Sequence, residues 1–371
     1  MSEKVQVVIV GGGQAGLATA YELKRRSVGS FAVLEGAQRV GDQWRARWDS
    51  LRLFTPARHD ALPGSIFPGA PDSFPTKDEV AAYLVMYARH NALPVRTGVR
   101  VQSIKRVARD YLVETSAGPI EAEHVVVATG YERPEIPALA AQVDPDIRQL
   151  HAAAYRNPAQ LVGDVLVVGA GTSGVEISIE AAQSGHRTTL AGRSTGAIPP
   201  IFYAFKGNVF WFYATRVASV STPVGRRMKP LVLSHGAPLI RLKMRDAIAA
   251  GVVRAPRVDT VTDGLPVLGD AAGARPGTIV WCTGFTRDYS WIEIPILGPD
   301  GHPRHRGGVV EGEPGLYFVG LPYQTRLASG LLGGVGYDAG VVAEVIAGRM
   351  VSSRRHAPAD TGPAPVGAMV S

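Results

Sequence analysis

The chain has 371 residues, 46% of them apolar, which is enough to bury the cores of two or more domains. No apolar run reaches the ~18 residues of a membrane span, and a strand predicted from Val5 leaves no room for a signal peptide, so we expect a cytoplasmic protein. The net charge of +7 comes from scattered arginines, which argues against a nucleic-acid-binding protein. The single cysteine, Cys282, excludes a disulfide framework, and its apolar neighbours predict a buried, unreactive thiol. No metal site is predicted.

A glycine fingerprint follows the predicted strand 5–10 and precedes a predicted helix over 17–26. In such a motif the first glycine permits a tight turn, the second lets the main chain approach a pyrophosphate, and the third lets helix and strand pack closely. Glu35 lies nineteen residues after the last glycine, where a carboxylate can accept hydrogen bonds from ribose hydroxyls. The motif predicts an FAD site whose fingerprint residues are Gly11, Gly13, Gln14, Ala15 and Gly16.

The next hundred residues continue the same predicted domain. The predicted elements are a loop over 50–75, a helix over 77–91, and strands over 100–104, 111–115 and 124–127. The last of these strands ends in the small-residue turn Ala128-Thr129-Gly130.

A second fingerprint of the same spacing follows the predicted strand 165–168 and opens a predicted helix over 175–184. At the equivalent offset this copy carries Arg193, followed by Ser194, and an arginine there can hold a 2′-phosphate. The second copy therefore predicts an NADPH site, formed with Gly169, Gly171, Thr172, Ser173 and Gly174.

Seven of the 27 aromatic residues of the chain lie between Phe202 and Tyr213, inside a stretch, 198–250, that departs from a minimal nucleotide-binding fold. The simplest prediction is that they pack helices onto the sheet. Two alternatives stay open: a substrate wall facing the cofactor, and a contact with a second copy of the chain or with a membrane surface.

A buried strand over 279–284, a last strand over 316–319 and the glycine-rich segment 330–340 are expected to return to the first domain. The predicted fold class is α/β, with two Rossmann-like dinucleotide-binding domains and the NADPH domain inserted in the FAD domain. The predicted boundaries are 1–155 and 279–351 for the FAD domain, 156–278 for the NADPH domain and 352–371 for a disordered tail.

Several short motifs accompany the two fingerprints. They are Gly41-Asp42-Gln43-Trp44, Trp48-Asp49-Ser50-Leu51, and Pro134 and Pro137 after the Ala128-Thr129-Gly130 turn. Together they resemble the class B flavoprotein monooxygenases, and best the bacterial flavin-containing monooxygenases similar to the plant YUCCA enzymes. The resemblance implies a flavin that is reduced by NADPH and binds O2 as a C4a-(hydro)peroxide, which oxygenates a small organic substrate. It also implies further cofactor contacts at Gln43, Trp44, Val101, Ala128, Thr129, Gly130 and Leu332.

The chain departs from the family pattern at two places. Of the hallmark FxGxxxHxxxY only His151 and Tyr155 are present, since Pro145 and Ile147 replace the Phe and the Gly. This half motif indicates a hinge between the domains, and an ordinary linker histidine is the alternative.

Thr55 and Arg58 stand where the resemblance leads to an asparagine and a lysine near the flavin. Thr55 can donate one hydrogen bond, and the charge of Arg58 favours an anionic reduced flavin and its peroxide. Arg58 could instead anchor a loop through main-chain carbonyls. Gln324 is the candidate polar group near the flavin or the nicotinamide.

The predicted function is therefore an FAD- and NADPH-dependent monooxygenase. The main alternative is a reductase that passes electrons from NADPH to a partner protein or a quinone, and a nucleotide-binding regulator without turnover is a third. Oxygenation at nitrogen or sulfur and oxidation of a carbonyl compound or an indolic 2-oxo acid all remain open.

Overall fold

The computed structural model describes residues 3–130, 133–234, 238–269, 271–272 and 275–355. The strands, in chain order, are β1 (Glu3–Val10), β2 (Phe31–Glu35), β3 (Val95–Thr97), β4 (Val101–Val107), β5 (Asp110–Thr115), β6 (Ile120–Val127), β7 (Arg133–Pro134), β8 (Arg148–His151), β9 (Val165–Val168), β10 (Thr188–Ala191), β11 (Val253–Ala255), β12 (Val258–Thr262), β13 (Leu265–Leu268), β14 (Ala271–Ala272), β15 (Thr278–Trp281), β16 (Phe285–Thr286), β17 (His305–Arg306), β18 (Val309–Val310) and β19 (Leu316–Phe318).

The α-helices are fewer and are longest in the two nucleotide-binding units. They are α1 (Gln14–Arg25), α2 (Asp42–Arg45), α3 (Lys77–His90), α4 (Thr172–Gln183), α5 (Asn208–Phe212), α6 (Pro223–Ser234), α7 (Met244–Ala249) and α8 (Val335–Arg355). Short 3-10 helices cover Ala57–His59, Ala138–Gln142, Pro158–Gln160, Pro200–Gly207 and Leu327–Gly330, and one π-helical turn covers Tyr213–Val217.

The first sheet has the strand order β17-β18-β19-β6-β1-β2-β3, with β5 and β4 attached beside β6. β1 runs parallel to β2 and β6, and Val10 lies beside both Leu34 and Val127. This register brings the carboxyl ends of three apolar strands to one edge, which is where open parallel sheets bind ligands. Helices α1, α3 and α8 cover one face of the sheet, and β4, β5 and the segment 289–296 cover the other.

The second sheet has five parallel strands in the order β11-β10-β9-β15-β8. Its strands β9 and β15 are buried along their whole length, as expected for parallel strands covered on both faces. Helices α4 and α7 pack on one side, and the small antiparallel sheet β12-β13-β14 lies on the other. Each sheet therefore has its own core, and together they form two Rossmann-like units.

The chain returns to the first sheet after completing the second, because β19 pairs in parallel with β6. The predicted insertion of one domain in the other is thus confirmed, but the predicted boundaries are wrong. β8 and β15 belong to the second sheet, since both are paired in that sheet through residues such as Val280 beside Val167. The chain crosses between the domains at the antiparallel ribbon of β7 and β16 instead.

The glycine-rich segment predicted at 330–340 contains the start of the longest helix, α8. Its buried face includes Ala339, Val342, Ala343 and Ile346, which pack in the same cluster as α1. The helix continues to Arg355, so the predicted tail from residue 352 begins too early, and 356–371 lie outside the described residues.

Candidate active site

The first fingerprint forms the turn between β1 and α1, and two of its glycines are required by the packing. Gly11 has a φ of +107°, and a Cβ there would lie 2.6 Å from the Ala128 carbonyl oxygen. A Cβ on Gly16 would lie 1.9 Å from the Gly11 carbonyl oxygen. Gly13 is the N-cap of α1 and no side chain caps the helix, so the N–H groups of Gln14, Ala15 and Gly16 have no intrahelical partner. These donors favour an anion such as a pyrophosphate.

Glu35 and Gln43 lie against this turn. The Glu35 carboxylate accepts hydrogen bonds from the Gly12 and Ala37 N–H groups, each at 2.8 Å, and is 8% exposed. A Cβ on Gly13 would lie 2.6 Å from Gln43 Nε2. The structure therefore brings together the predicted fingerprint, its acidic residue and Gln43 at the carboxyl edge of the first sheet.

The remaining predicted FAD contacts surround the same edge. The Ala128 carbonyl group lies against Gly11. A Cβ on Gly130 would meet nothing within 4 Å, and Gly130 and Thr129 both line a small pocket. Trp44 packs between the cores of the two domains, and its indole N–H is buried without a hydrogen-bond partner among the described residues. The Val99 N–H donates a hydrogen bond to the Glu35 carbonyl oxygen, and β4 begins two residues later at Val101. Val101 therefore lies near Glu35 along the chain.

The second fingerprint repeats this construction between β9 and α4. Gly169 has a φ of +110°, and a Cβ on Gly174 would lie 1.8 Å from its carbonyl oxygen. By contrast, a Cβ on Gly171 would meet nothing within 4 Å, so the main chain is open to a ligand there. Thr172 and Ser173 are the first residues of α4, which has no side-chain cap. A pyrophosphate can thus approach this helix N-terminus directly.

Arg193 projects from the turn after β10, beside the second fingerprint. A Cβ on Gly192 would lie 3.1 Å from the Ala170 nitrogen, so the two turns touch. Arg193 is exposed and makes no ion pair with a described residue, whereas Arg254 donates to the Leu190 and Gly192 carbonyl oxygens at 2.9 and 2.6 Å. Arg254 therefore fixes the turn that carries Arg193. The neighbouring Ser194 hydroxyl accepts a hydrogen bond from the Gly196 N–H.

These features fit FAD at the first site and NADPH at the second. Each site has uncapped helix N–H groups and a main chain that only glycine allows, and the two sites differ in the charge of the side chain beside them. The first would hold the diphosphate of FAD near Gly13 and its ribose near Glu35. The second would hold the diphosphate of NADPH near Gly171 and its 2′-phosphate near Arg193.

Thr55 lies in a buried pair that the sequence analysis missed. Its hydroxyl donates a hydrogen bond to Asp60 Oδ1 at 2.6 Å, and Asp60 is fully buried. Burial raises the pKa of the Asp60 carboxyl to about 7, although the Thr55 hydrogen bond opposes this shift. The local sequence gives no signal of this burial, because the charged Arg58 and the polar His59 directly precede Asp60.

Arg58 anchors a loop, but through a carboxylate and not through main-chain carbonyls. It forms an ion pair with Asp72, which also pairs with Lys206 of the aromatic insertion, residues 198–250. The cationic role near the flavin predicted for Arg58 therefore has to compete with an existing partner.

Gln324 is buried, and both ends of its side-chain amide bond the main chain. Nε2 donates to the Phe318 carbonyl oxygen at 2.9 Å, and Oε1 accepts from the Leu321 N–H at 3.2 Å. The residue thus holds the turn after β19. Leu332 packs in the same apolar cluster as Ala15 of α1, which places the glycine segment close to the first fingerprint.

The half-matched motif lies in the second domain, because His151 ends β8 and Tyr155 packs in the core of the second sheet. His151 Nδ1 accepts from the Ala153 N–H at 3.0 Å, so the hydrogen of the neutral ring is on Nε2, which donates to the Gly284 carbonyl oxygen at 3.0 Å. Burial lowers the His151 pKa, which keeps the ring neutral. The Tyr155 hydroxyl donates to Glu180 of α4 at 2.8 Å.

The simplest prediction for the aromatic residues of the insertion, that they pack helices onto the sheet, is wrong for the described residues. Among the described residues, none of its aromatic side chains joins the core of either sheet. Instead Trp211 stacks on His59 of the first domain, with 4.9 Å between ring centroids and 14° between planes. Phe205 and Phe212 are 80% and 63% exposed. The insertion therefore bridges the domains and leaves two rings in solvent.

Cys282 is only half-buried, but burial of its thiol raises the pKa to about 12. In the described part of the chain no cluster of side chains could hold a metal ion. The helices described there are also too short or too polar to cross a membrane.

Comparison with known proteins agrees with this construction. The family model described as pyridine nucleotide-disulphide oxidoreductase matches residues 8–199. The chain is 36% identical over 343 residues to the uncharacterized oxidoreductase CzcO-like of Geobacillus kaustophilus, covering 91% of this chain and 97% of the relative. It is 30% identical over 384 residues to the probable indole-3-pyruvate monooxygenase YUCCA3 of Arabidopsis thaliana, covering 92% and 86%. A flavin-containing monooxygenase structure from Stenotrophomonas maltophilia matches with a TM-score of 0.77 at 25% identity, covering 94% of this chain and 99% of that chain.

Two sites for dinucleotides, each at the carboxyl ends of parallel strands, with an acidic residue beside the first and a basic residue beside the second, define a flavin- and nicotinamide-dependent oxidoreductase. The chain belongs to the pyridine nucleotide-disulphide oxidoreductase family and, within it, to the class B flavoprotein monooxygenases. It is an NADPH-dependent flavin monooxygenase with FAD and NADPH as cofactors, as the sequence predicts.

Proposed function

We propose that the enzyme uses O2 to oxygenate a small organic substrate, at nitrogen or sulfur or at the carbonyl group of a 2-oxo acid. When bound and reduced by NADPH, FAD supplies the oxygenating chemistry as a C4a-(hydro)peroxide. The protein supplies the position of both cofactors, hydrogen bonds and the exclusion of water.

The observation that carries this proposal is the position of the single cysteine. A Cβ on Gly174 would lie 3.4 Å from the Cys282 Cβ, so this thiol packs behind the NADPH fingerprint. With its pKa raised to about 12, the thiol is protonated at neutral pH and is a poor nucleophile. With this one cysteine the chain offers no pair to carry electrons from the flavin to a disulfide, which favours O2 as the acceptor over a reductase that works through a cysteine pair.

Three side chains have proposed roles beside the flavin. Thr55, buried at the loop that packs against the glycine segment, would donate a hydrogen bond to oxygen bound at the flavin. Gln324 would act through the main-chain turn that it holds. Arg58 would contribute positive charge, reduced by its ion pair with Asp72.

The substrate class is proposed from the relatives and from the insertion. The YUCCA3 relative is named for indole-3-pyruvate, an aromatic 2-oxo acid. The aromatic insertion of this chain supplies exposed rings at Phe205 and Phe212, and its Trp211 stacks on His59 near Thr55 in the sequence; aromatic rings of this kind suit a planar apolar substrate.

The test is to measure NADPH and O2 consumption with aromatic 2-oxo acids, tertiary amines and thioethers, and to quantify H2O2 against oxygenated product. We expect product formation to consume one NADPH and one O2 per turnover with at least one class. Quinone reduction without O2 uptake, retained in Cys282→Ser, would instead support a reductase.

A further inference from the structure

The two side-chain oxygens of Asp60 differ in their hydrogen bonds. Asp60 Oδ1 accepts from the Thr55 hydroxyl at 2.6 Å, while Asp60 Oδ2 is buried with no partner among the described residues. A buried ionised carboxylate is costly unless both oxygens are satisfied, so the neutral acid suits this site better. The pair is therefore built around a carboxyl that can keep its proton.

The Thr55–Asp60 pair lies next to the predicted FAD site. Leu53, Ala57 and Leu62 of its loop share one apolar cluster with Ala15 of α1 and Leu332. The glycine segment also touches this loop directly, because a Cβ on Gly333 would lie 1.9 Å from the His59 carbonyl oxygen and 3.3 Å from the Asp60 Cα. Thr55 and Asp60 are thus held between the helix that binds the diphosphate and the segment that opens α8.

A threonine hydroxyl has a single hydrogen to donate. When Asp60 is ionised, that hydrogen is committed to Oδ1, and Thr55 can only accept from a ligand. When Asp60 is neutral and carries its proton on Oδ1, the carboxyl donates to the Thr55 oxygen, and the Thr55 hydrogen is free for an acceptor beside it. The protonation state of Asp60 therefore decides whether Thr55 can donate a hydrogen bond to a ligand or can only accept one.

Few titratable groups face Asp60. On its own loop, His59 stacks on Trp211 of the insertion, and Arg58 is paired with Asp72. From α3, the Tyr83 hydroxyl accepts from the Leu62 N–H at 2.7 Å. None of them makes a hydrogen bond or ion pair with the Asp60 side chain, and Gly333 and Gly334 bring no charge.

We propose that Asp60 is a positioning residue whose neutral form makes Thr55 a hydrogen-bond donor toward oxygen bound at the flavin. The proposal rests on the function proposed above for Thr55. Because burial raises the Asp60 pKa to about 7, the donor would be lost as the pH rises through neutrality.

The test uses the FAD-loaded enzyme with Asp60→Asn and Thr55→Val. Asp259→Asn, an exposed carboxylate, and Thr278→Val, a buried hydroxyl bonded to Val162, serve as matched controls. Infrared difference spectra would follow the carboxyl C=O band against pH. H2O2 release from NADPH-reduced enzyme mixed with O2, without substrate, would follow the loss of bound oxygen.

We expect a wild-type carboxyl band that disappears near pH 7 and is absent in Asp60→Asn. H2O2 release should rise about tenfold across this range in the wild type, since one hydrogen bond to a charged acceptor is worth that much. Asp60→Asn can donate from its amide at every pH and should release H2O2 slowly throughout, whereas Thr55→Val should release it fast throughout. Both controls should follow the wild type.

A carboxyl band that titrates near pH 4 would overturn the proposal, as would a wild-type pH profile in Asp60→Asn or in Thr55→Val. If Asp60→Asn does not fold, the pH profile of H2O2 release in Thr55→Val tests the proposal. If the enzyme oxygenates a substrate but the variants keep the wild-type dependence of H2O2 release on pH, the proposed function stands and the proposed role of Asp60 does not. Conversely, the expected titration in an enzyme that oxygenates no substrate would refute the proposed function and the donor role, leaving only the neutral carboxyl.

Discussion

Asp60→Asn should stabilise the protein at pH 8 and have little effect at pH 4. Burial raises the pKa of the folded carboxyl from 3.8 to about 7. Between these values the folded state holds a proton that the unfolded state has lost, so the free energy of unfolding of the wild type falls as the pH rises. Three pKa units correspond to about 4 kcal/mol, which the wild type has lost in full above pH 7. Asparagine carries no such penalty.

The assay is urea unfolding of the two proteins at saturating FAD, at several pH values from 4 to 8. Only the difference between variant and wild type matters, because the other titrating groups cancel in it. Asp259→Asn changes an exposed carboxylate paired with Arg257, and it should shift the free energy of unfolding by less than about 1 kcal/mol at any pH. A difference between Asp60→Asn and the wild type that does not grow with pH would refute the assignment of a neutral carboxyl.

Three further predictions concern the cofactor sites and the insertion. Gly13→Ala should yield protein with little bound FAD, measured by its absorbance after purification, while Gly348→Ala on α8, where a Cβ meets nothing within 4 Å, should keep it. Arg193→Ala should raise KM for NADPH roughly tenfold to a hundredfold and leave that for NADH unchanged, whereas Arg187→Ala, paired with Asp164, should alter neither; equal losses with both coenzymes would contradict the role of Arg193. Trp211→Ala should increase hydrogen exchange over residues 56–62, because it removes the ring stacked on His59.

The sequence predicts the glycine turns of the two fingerprints because their constraints are local. The turn conformation of Gly11 and the close approach of Gly16 follow from a few consecutive residues, and the offset to Glu35 is set by one helix and one strand. The two strand–turn–helix units, and the insertion of one domain in the other, therefore follow from the sequence alone.

What the sequence misses depends on contacts between distant segments. The prediction assigns the residues of β8 and β15 to the wrong domain, because pairing within a sheet decides where a strand belongs and its own apolar residues do not. α8 was hidden by its glycines, although Ala339, Val342, Ala343 and Ile346 follow a helical period. Asp60 is unusual only once its burial is known.

The aromatic insertion restricts how the two domains can move. It contacts the first domain on two sides: Trp211 stacks on His59 and Lys206 pairs with Asp72 on one side, and main-chain hydrogen bonds join Val220 to Thr325 and Leu327 to Ala218 on the other. The first contact adjoins the loop of Thr55, and the second adjoins Gln324. A rotation of the NADPH domain that carried the insertion with it would break both contacts. It would then expose the loop of Thr55 and the turn of Gln324, which we propose lie beside the flavin. Since the proposed oxygenation needs water excluded there, residues 211–220 of the insertion are expected to stay with the FAD domain while the sheet of the NADPH domain moves together with α7, which packs on it.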